Sequence, residues 1–300
     1  MNLLLCAKEK VLSMNNSFNQ HVAIVCNGKS GKGKPLKLLP LLESYLIQHN
    51  ISFQSFITSI PKNLNGFTDL VIMGGDGTIN YTLNYIRDIT IPIGIIRCGT
   101  GNDFTEMIFG KQSMQEQFNT AVFGTPKPVD AGVCNQQLFI NGVGIGFDGW
   151  VVKKLLAKKL FTGKAAYYST VISLLLFYKE QLVTLSSNNK SYSFPLFMLS
   201  AANGKTYGGG FKVAPKASLT DGLLDLIVVK KISLFNRLKY LPIIENGKHL
   251  DTHLPFIEYE QTTSLTIQSV QPLLAHLDGE LMVANSFEIK ILPNKFLIRQ

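Results

Sequence analysis

Cysteine, tryptophan and acid are all scarce in this chain. Its four cysteines, Cys6, Cys26, Cys98 and Cys134, are irregularly spaced and form no CxxC pair, which argues against a zinc-finger-like site and against the disulfide framework of a small secreted domain. A reducing, cytoplasmic setting is the expectation. Trp150 is the one tryptophan and the tyrosines are scattered; no RRM, zinc-finger or helix-turn-helix signature is present, so nucleic acid is not an expected partner. Long apolar runs are missing too. The most apolar stretch, YYSTVISLLLFYK from Tyr167, falls short of the ~20 residues a membrane-spanning helix needs. The opening MNLLLCAKEK has a short apolar run and no small-residue cleavage site, so residues 1–19 read as a loosely ordered extension.

Acids number 20 against 29 Lys and Arg, a formal net charge of +9. That excess favours anionic company, whether nucleic acid, nucleotides or an acidic membrane surface, and does not choose among them. With 46% hydrophobic content over 300 residues, there is ample material for one large domain or two. From His21 the pattern alternates apolar strands with helical stretches: HVAIVCNG, then PLKLLPLLESYLIQHN, ISFQSFIT, DLVIMGGDGTINYTL and IPIGIIRCGTGNDF. Strand, glycine turn and helix in repetition predict a doubly wound α/β sheet with parallel strands. After about residue 130 the character changes to LVTLSSNNKSYSFPLFMLS, GLLDLIVVKK, TSLTIQSV and SFEIKILP, which predict hairpin-linked antiparallel strands in a second, β-rich domain. The expected division is an extension at 1–19, a nucleotide-binding α/β domain at 20–130 and a β-rich domain at 131–289.

Chemistry concentrates in the glycine turns. Asp76 follows a buried strand among Gly74, Gly75 and Gly77, at the carboxyl end of a parallel sheet, where open α/β sheets gather ligands. Such glycines let phosphate approach backbone N–H groups, and Thr78 is positioned to cap the following helix, in which Ile79, Leu83 and Ile86 share a face. A tight turn with Asp76 as a local hydrogen-bond acceptor explains one isolated cluster equally well. IIRCGTGNDF repeats the construction with Gly99, Gly101 and Asp103, so two acids are expected to face one cleft, an arrangement suited to Mg²⁺ with substrate phosphates. The loop NGKSGKGKP from Asn27 nearly meets the Walker A spacing, with Gly28, Gly33 and Lys34, but Pro35 replaces the metal-binding hydroxyl. Alone it reads as a solvated basic loop.

NGKSGKGK, GGDGTIN at 74–80, GTGNDF at 99–104, NGVGIGFDG from Asn141, YGGGFKVAP from Tyr207, DGLLDL from Asp221 and LDGE ending at Glu280 together resemble the diacylglycerol kinase catalytic family of soluble lipid kinases. GGDGT alone also occurs in NAD kinases; GTGNDF followed by YGGG, AP and DG is the specific part. The resemblance implies an α/β domain of NAD-kinase and diacylglycerol-kinase type, with closing strands, about 290–300, returning to it. It implies ATP contacts at Asn27, Gly28, Ser30, Gly31, Thr58, Gly74, Gly75, Asp76, Gly77, Thr78, Asn80 and Thr100. Asp76 and Asp103 would organise catalytic Mg²⁺, and Glu280 would accept the lipid hydroxyl's proton. A structural Mg²⁺ would be held by Asp221 with the backbone carbonyls of Ser218 and Leu223. From the residues alone, Asp278-Gly279 and Asp221-Gly222 are turn signals.

The implied activity is ATP- and Mg²⁺-dependent phosphorylation of the free hydroxyl of diacylglycerol to phosphatidic acid. Another lipid alcohol such as sphingosine or ceramide, NAD as acceptor, or a non-catalytic lipid or nucleotide sensor are the alternatives. A lipid substrate requires a peripheral visit to the membrane. WVVKKLLAKKLFTGK, 150–164, sets Val152, Leu156 and Leu160 in an i, i+4 row beside Lys153, Lys154, Lys158, Lys159 and Lys164 without an acid; it fits an interfacial helix, or a helix packed on its own domain with solvated lysines. His249 and His253 have helical spacing but no third ligand, and are expected to be exposed. The sequence leaves oligomeric state open.

Overall fold

The computed structural model describes residues 20–157, 164–208, 210–252 and 254–300, and for 164–168 the backbone alone. In chain order come β1 (His21–Cys26), a 3-10 turn (Ser30–Gly33), α1 (Lys34–Gln48), β2 (Ser52–Ile57), β3 (Asp69–Gly74), α2 (Asp76–Ile86), β4 (Ile93–Arg97), α3 (Asp103–Phe109) and α4 (Met114–Phe123). Then follow β5 (Pro126–Cys134), β6 (Gln137–Phe139), β7 (Gly142–Gly146), α5 (Phe147–Ala157), α6 (Lys164–Phe177), β8 (Gln181–Ser187), β9 (Lys190–Ala202), β10 (Leu224–Lys230), α7 (Leu234–Glu245), β11 (Ile257–Thr262), β12 (Ser264–Leu277) and β13 (Glu280–Arg299). The chain forms two compact units, the first running to Pro128 and taking in Phe296–Gln300, the second Val129–Lys295.

In the first unit β1 pairs in parallel with β2 and β3, β3 with β4, and β4 with the end of β13 at Ile298. The order is therefore β2-β1-β3-β4-β13, a doubly wound sheet whose direction of winding reverses between β1 and β3. DLVIMG forms the central strand because every residue of it is buried, as a parallel strand covered on both faces requires. Val71 and Met73 join Leu39, Leu42 and Leu46 of α1 and Phe118, Ala121 and Val122 of α4 in one core. Leu70 and Ile72 alternate to the opposite face. α1 starts with Pro35 in its first turn, where the missing N–H costs nothing. At the far edge Arg299 donates from Nε to Asp69 Oδ1 at 2.9 Å and from Nη1 to Gly124 O at 2.7 Å. This buried ion pair joins the end of β13 to the start of β3.

The second unit is an antiparallel assembly in the order β11-β10-β9-β7-β12-β13, with β8 paired to β9 and β12 and β5 paired to β6 and β13. β9 shows why both of its faces are apolar. Its Phe194, Leu196, Leu199 and Ala201 enter a core made of strands, while Phe197, Met198 and Ala202 pack beneath Val151 of α5 and Val171, Leu174 and Leu175 of α6. No described helix is long and apolar enough to cross a membrane.

Candidate active site

The carboxyl ends of β1 and β3 flank the switch point of the first sheet. Asn27, just past β1, donates its backbone N–H to Met73 O at 3.2 Å and its side-chain amide to Thr78 Oγ1 at 2.9 Å. Thr58 donates its N–H to Cys26 O at 3.0 Å and holds a left-handed φ of 56°. A cleft of about 400 Å³ opens here, lined by Asn27, Thr58, Gly77, Thr78, Tyr81 and Tyr85 among others. Above Gly77 the space is open, for a Cβ added there would meet nothing within 4 Å. Thr78 does not cap α2. The helix begins two residues earlier at Asp76, Gly75 occupies the cap position with no side-chain bond, and Thr78, three residues into the cap motif, binds Asn27 instead.

Two glycine turns meet backbone to backbone. A Cβ on Gly99 would lie 2.3 Å from Gly75 Cα, and one on Gly75 would lie 2.8 Å from Gly101 O. Cys98 donates its N–H to Gly74 O at 2.8 Å and Asp76 its own to Gly101 O at 3.3 Å. This contact brings the acids together: Asp76 Oδ2 accepts the N–H of Asp103 at 2.8 Å. Both carboxylates are half-buried, Thr100 is exposed and Asn80 is buried. Asn102 donates to Gly99 O at 3.0 Å, while its Oδ1 is buried with no hydrogen-bond partner among the described residues. The early loop joins the same region. Gly31, Lys32 and Gly33 form a left-handed run with φ of 49°, 57° and 84°, and a Cβ on Gly31 would stand 1.8 Å from Cys98 O. Its backbone is packed while Lys29, Lys32 and Lys34 stay exposed, with Ser30 donating its N–H to Asn27 O at 3.0 Å and Gly28 placed against Leu36.

Glu280, Asp221, Ser218 and Leu223 lie in the second unit. Glu280 is the exposed first residue of β13 and pairs with Leu277 across the Asp278-Gly279 turn, whose φ angles of 48° and 92° are those of a tight hairpin. That turn has a second role. The Asp278 carboxylate accepts the backbone N–H groups of Ile140, Asn141 and Gly142 at 2.7, 2.9 and 2.9 Å, fixing the hairpin that carries Glu280 to the start of β7. Asp130, which no pattern in the sequence singled out, is a comparable hub: it accepts N–H groups from Gly222 at 2.8 Å and Asn294 at 2.7 Å. Asp221 is exposed and accepts the N–H of Leu223 at 3.1 Å.

Behind the hairpin lies a largely buried polar group, with Asp148 half-buried, that sequence reasoning also missed. Tyr207 donates its hydroxyl either to Ser200 Oγ at 2.7 Å or to Asp148 Oδ2 at 3.3 Å, and its ring stands edge-on to His276 with centroids 5.4 Å apart. A Cβ on Gly144 would come within 2.5 Å of His276 Nε2 and 2.8 Å of Asp148 Oδ2, so only a glycine leaves room for both. Burial pushes the Asp148 carboxyl up to about 7, opposed by the Tyr207 hydrogen bond, and burial pushes the His276 imidazole down to about 4. Both groups are consequently neutral near pH 6. The signal was in NGVGIGFDG and YGGG, but a motif does not disclose which of its polar members will be buried.

No described cluster of three or more His, Cys, Asp or Glu side chains is able to enclose a metal. What the first unit offers is Asp76 and Asp103, two carboxylates beside the uncapped start of α2. That donor set fits a hard cation that keeps its waters and shares phosphate oxygens, as Mg²⁺ does. The Ser218–Leu223 loop offers one exposed carboxylate and backbone carbonyls, also an all-oxygen set. His249 is buried, its Nε2 3.0 Å from Val213 O, and burial lowers its pKa; it is not the exposed histidine the sequence suggested. His253 lies outside the described residues. In α5, Val151 is buried, Val152 half-buried and Leu156 exposed, Lys153 sits over the Trp150 ring and Lys154 donates to Ser173 Oγ at 2.8 Å. Lys158, Lys159 and Leu160 lie outside the described residues, as does the side chain of Lys164.

Residues 21–134 match the diacylglycerol kinase catalytic domain, and residues 141–299 match the YegS C-terminal NAD kinase beta sandwich-like domain. The chain belongs to the diacylglycerol kinase catalytic-domain family. A "Probable lipid kinase YegS-like" of Shewanella frigidimarina is 27% identical over 91% of this chain and 91% of that protein. A "Diacylglycerol kinase" of Bacillus subtilis is 28% identical over 72% of each. A crystal structure from Bacillus anthracis, described as a candidate diacylglycerol kinase, aligns with a TM-score of 0.74 at 21% identity, covering 94% of this chain and 97% of that one. The last likeness speaks for the fold; the family makes the chain a lipid kinase and a phosphotransferase.

Proposed function

We propose that the chain transfers the γ-phosphoryl group of ATP to the free hydroxyl of diacylglycerol, giving phosphatidic acid and ADP. The observation that carries this reading is the meeting of the two glycine turns, which holds the Asp76 carboxylate on the Asp103 N–H beside the open, uncapped start of α2. Phosphates suit that helix start, where backbone N–H groups and the helix dipole both favour negative charge. Asn27, Gly77, Thr78 and Thr58 line the neighbouring cleft and would hold the nucleoside, with Ser30 and Gly31 and the Gly74–Asn80 turn toward its phosphates. Asp76 and Asp103 would hold Mg²⁺, which when bound neutralises charge on the phosphates.

Glu280 is the proton acceptor in this reading. The lipid oxygen forms its bond to the γ-phosphorus as the bond from that phosphorus to the ADP oxygen breaks, and the hydroxyl proton passes to the Glu280 carboxylate. The grip of Asp278 on the 140–142 backbone would keep that carboxylate from wandering. Ser218, Asp221 and Leu223 would hold a second, structural Mg²⁺. The name of the Bacillus subtilis relative favours diacylglycerol over other lipid alcohols. Labelled ATP offered with diacylglycerol, sphingosine, ceramide and NAD in parallel tests the proposal: label is expected in diacylglycerol, and transfer to sphingosine, ceramide or NAD instead would replace it.

A further inference from the structure

Helix α7 has an outer face of an unusual kind. None of its residues is fully buried, and its most open positions are Leu234, Phe235, Leu238, Lys239 and Pro242, so the outward side carries four apolar residues beside a single lysine where a solvated helix would be mostly charged. Phe235 is 74% exposed and Leu238 44%. α6 repeats the pattern, with Ile172 and Leu176 each 45% exposed and Phe177 78%. Arg237 joins the two helices, donating from Nη1 to Leu175 O at 2.8 Å and Tyr178 O at 2.9 Å and pairing with Glu180 at 2.7 Å. The end of α6 and the start of α7 are thus held side by side, each presenting exposed apolar side chains of the sort that marks an interaction site.

We infer that this joined outer face of α6 and α7 is where the protein docks on an anionic lipid bilayer. The inference deepens the reading of the chain as a kinase acting on a lipid. Charge selects the occupant: Lys179, Lys231 and Lys239 are exposed at its edges, and Glu180 beside them is already neutralised by Arg237. Apolar side chains ringed by cations suit an anionic headgroup layer over acyl chains. The same two helices also wall a small, largely apolar cavity of about 60 Å³, lined by Val171, Leu175, Arg237, Tyr240 and Leu241 with Asp148 at its side. In the neighbouring basic segment Lys153 and Leu156 are exposed, Val151 is buried and Lys154 is tied to Ser173, and its residues 158–163 lie outside the described residues.

The full chain is sedimented with vesicles of phosphatidylcholine alone and of phosphatidylcholine with phosphatidylglycerol, at low and high salt. Two variants accompany it, Phe235→Glu with Leu238→Glu, and Lys179→Gln with Lys231→Gln and Lys239→Gln. Expected are preferential, salt-weakened binding to the anionic vesicles, a loss of ~10-fold or more in each variant, and thermal unfolding unchanged because every altered side chain is exposed. Variants that bind anionic vesicles as tightly as the parent overturn the inference. So does a dimer in sedimentation velocity that the Glu variant dissociates, since a second copy would then cover the face. Binding is read without turnover, so variants that lose binding support the docking face even if no lipid is phosphorylated, an outcome that counts only against the kinase. Turnover of diacylglycerol with binding unchanged leaves the kinase standing and removes the face.

Discussion

Asp76 accepts the backbone N–H of Asp103 at 2.8 Å, so the first acid of the site also fixes the second. A carboxylate engaged in this way contributes on the order of 1.5–3 kcal/mol through a hydrogen bond to a charged group. Asp76→Ala should lose both that bond and the assigned magnesium ligand, with turnover falling ~10²-fold or more and a higher metal concentration needed for half-maximal rate. Wild-type metal dependence in a metal titration would remove Asp76 from its assigned place.

Glu280→Gln keeps the size of the side chain and the hairpin while removing the proposed proton acceptor. Turnover should fall by ~10²-fold or more with the KM for ATP changed only a few-fold. Steady-state kinetics with diacylglycerol decides it, and full retained turnover would exclude Glu280 as the base.

Asp278→Ala acts on the support rather than the chemistry. Three backbone N–H groups, those of Ile140, Asn141 and Gly142, lose their acceptor, and a destabilisation on the order of 3 kcal/mol is expected. Urea unfolding measures it. A stability equal to the parent's would mean that water replaces the carboxylate without loss.

The half-buried Asp148 and the buried His276 leave a pH signature of opposite signs. Asp148, ordinarily 3.8, titrates at about 7 in the fold, so between those values the folded chain keeps a proton the unfolded chain has released and stability falls as pH rises. His276, ordinarily 6.5, titrates at about 4, so between those values the unfolded chain binds the extra proton and stability rises with pH. The two slopes, each approaching about 1.4 kcal/mol per pH unit, cancel over their shared range. His276→Gln should therefore expose a falling profile up to pH about 7, and Asp148→Asn a rising one that ends at the ordinary 6.5 of His276. Parallel profiles for parent and variants in urea unfolding would contradict the pairing.

Much of the fold was legible because the two units differ in their repeating pattern. DLVIMG, buried at every position, announced a central parallel strand, and the later alternation announced antiparallel ones. The helix start at Asp76 was misplaced because threonine is a good capping residue and nothing in the sequence says that Asn27 will take its hydroxyl. The glycine turns showed that phosphate was welcome, not that Gly75 and Gly99 would touch. Asp130, Asp148 and His276 were out of reach for a common reason: their partners are far apart in sequence, as with Asp130 and Asn294, and local periodicity carries no record of them. The exposed apolar side of α7 was hidden in the same way, since a leucine in a helix looks identical whether it faces the core or the solvent.

Arg299 reaches Asp69 from the far end of the chain, and Ile298 lies beside Ile93. During synthesis the nascent first unit must therefore wait, its β4 edge unpaired, while the ribosome makes all of the second. Premature termination before Phe296 would leave that edge open to any passing strand, so a messenger cut short there is expected to yield insoluble protein rather than a working half.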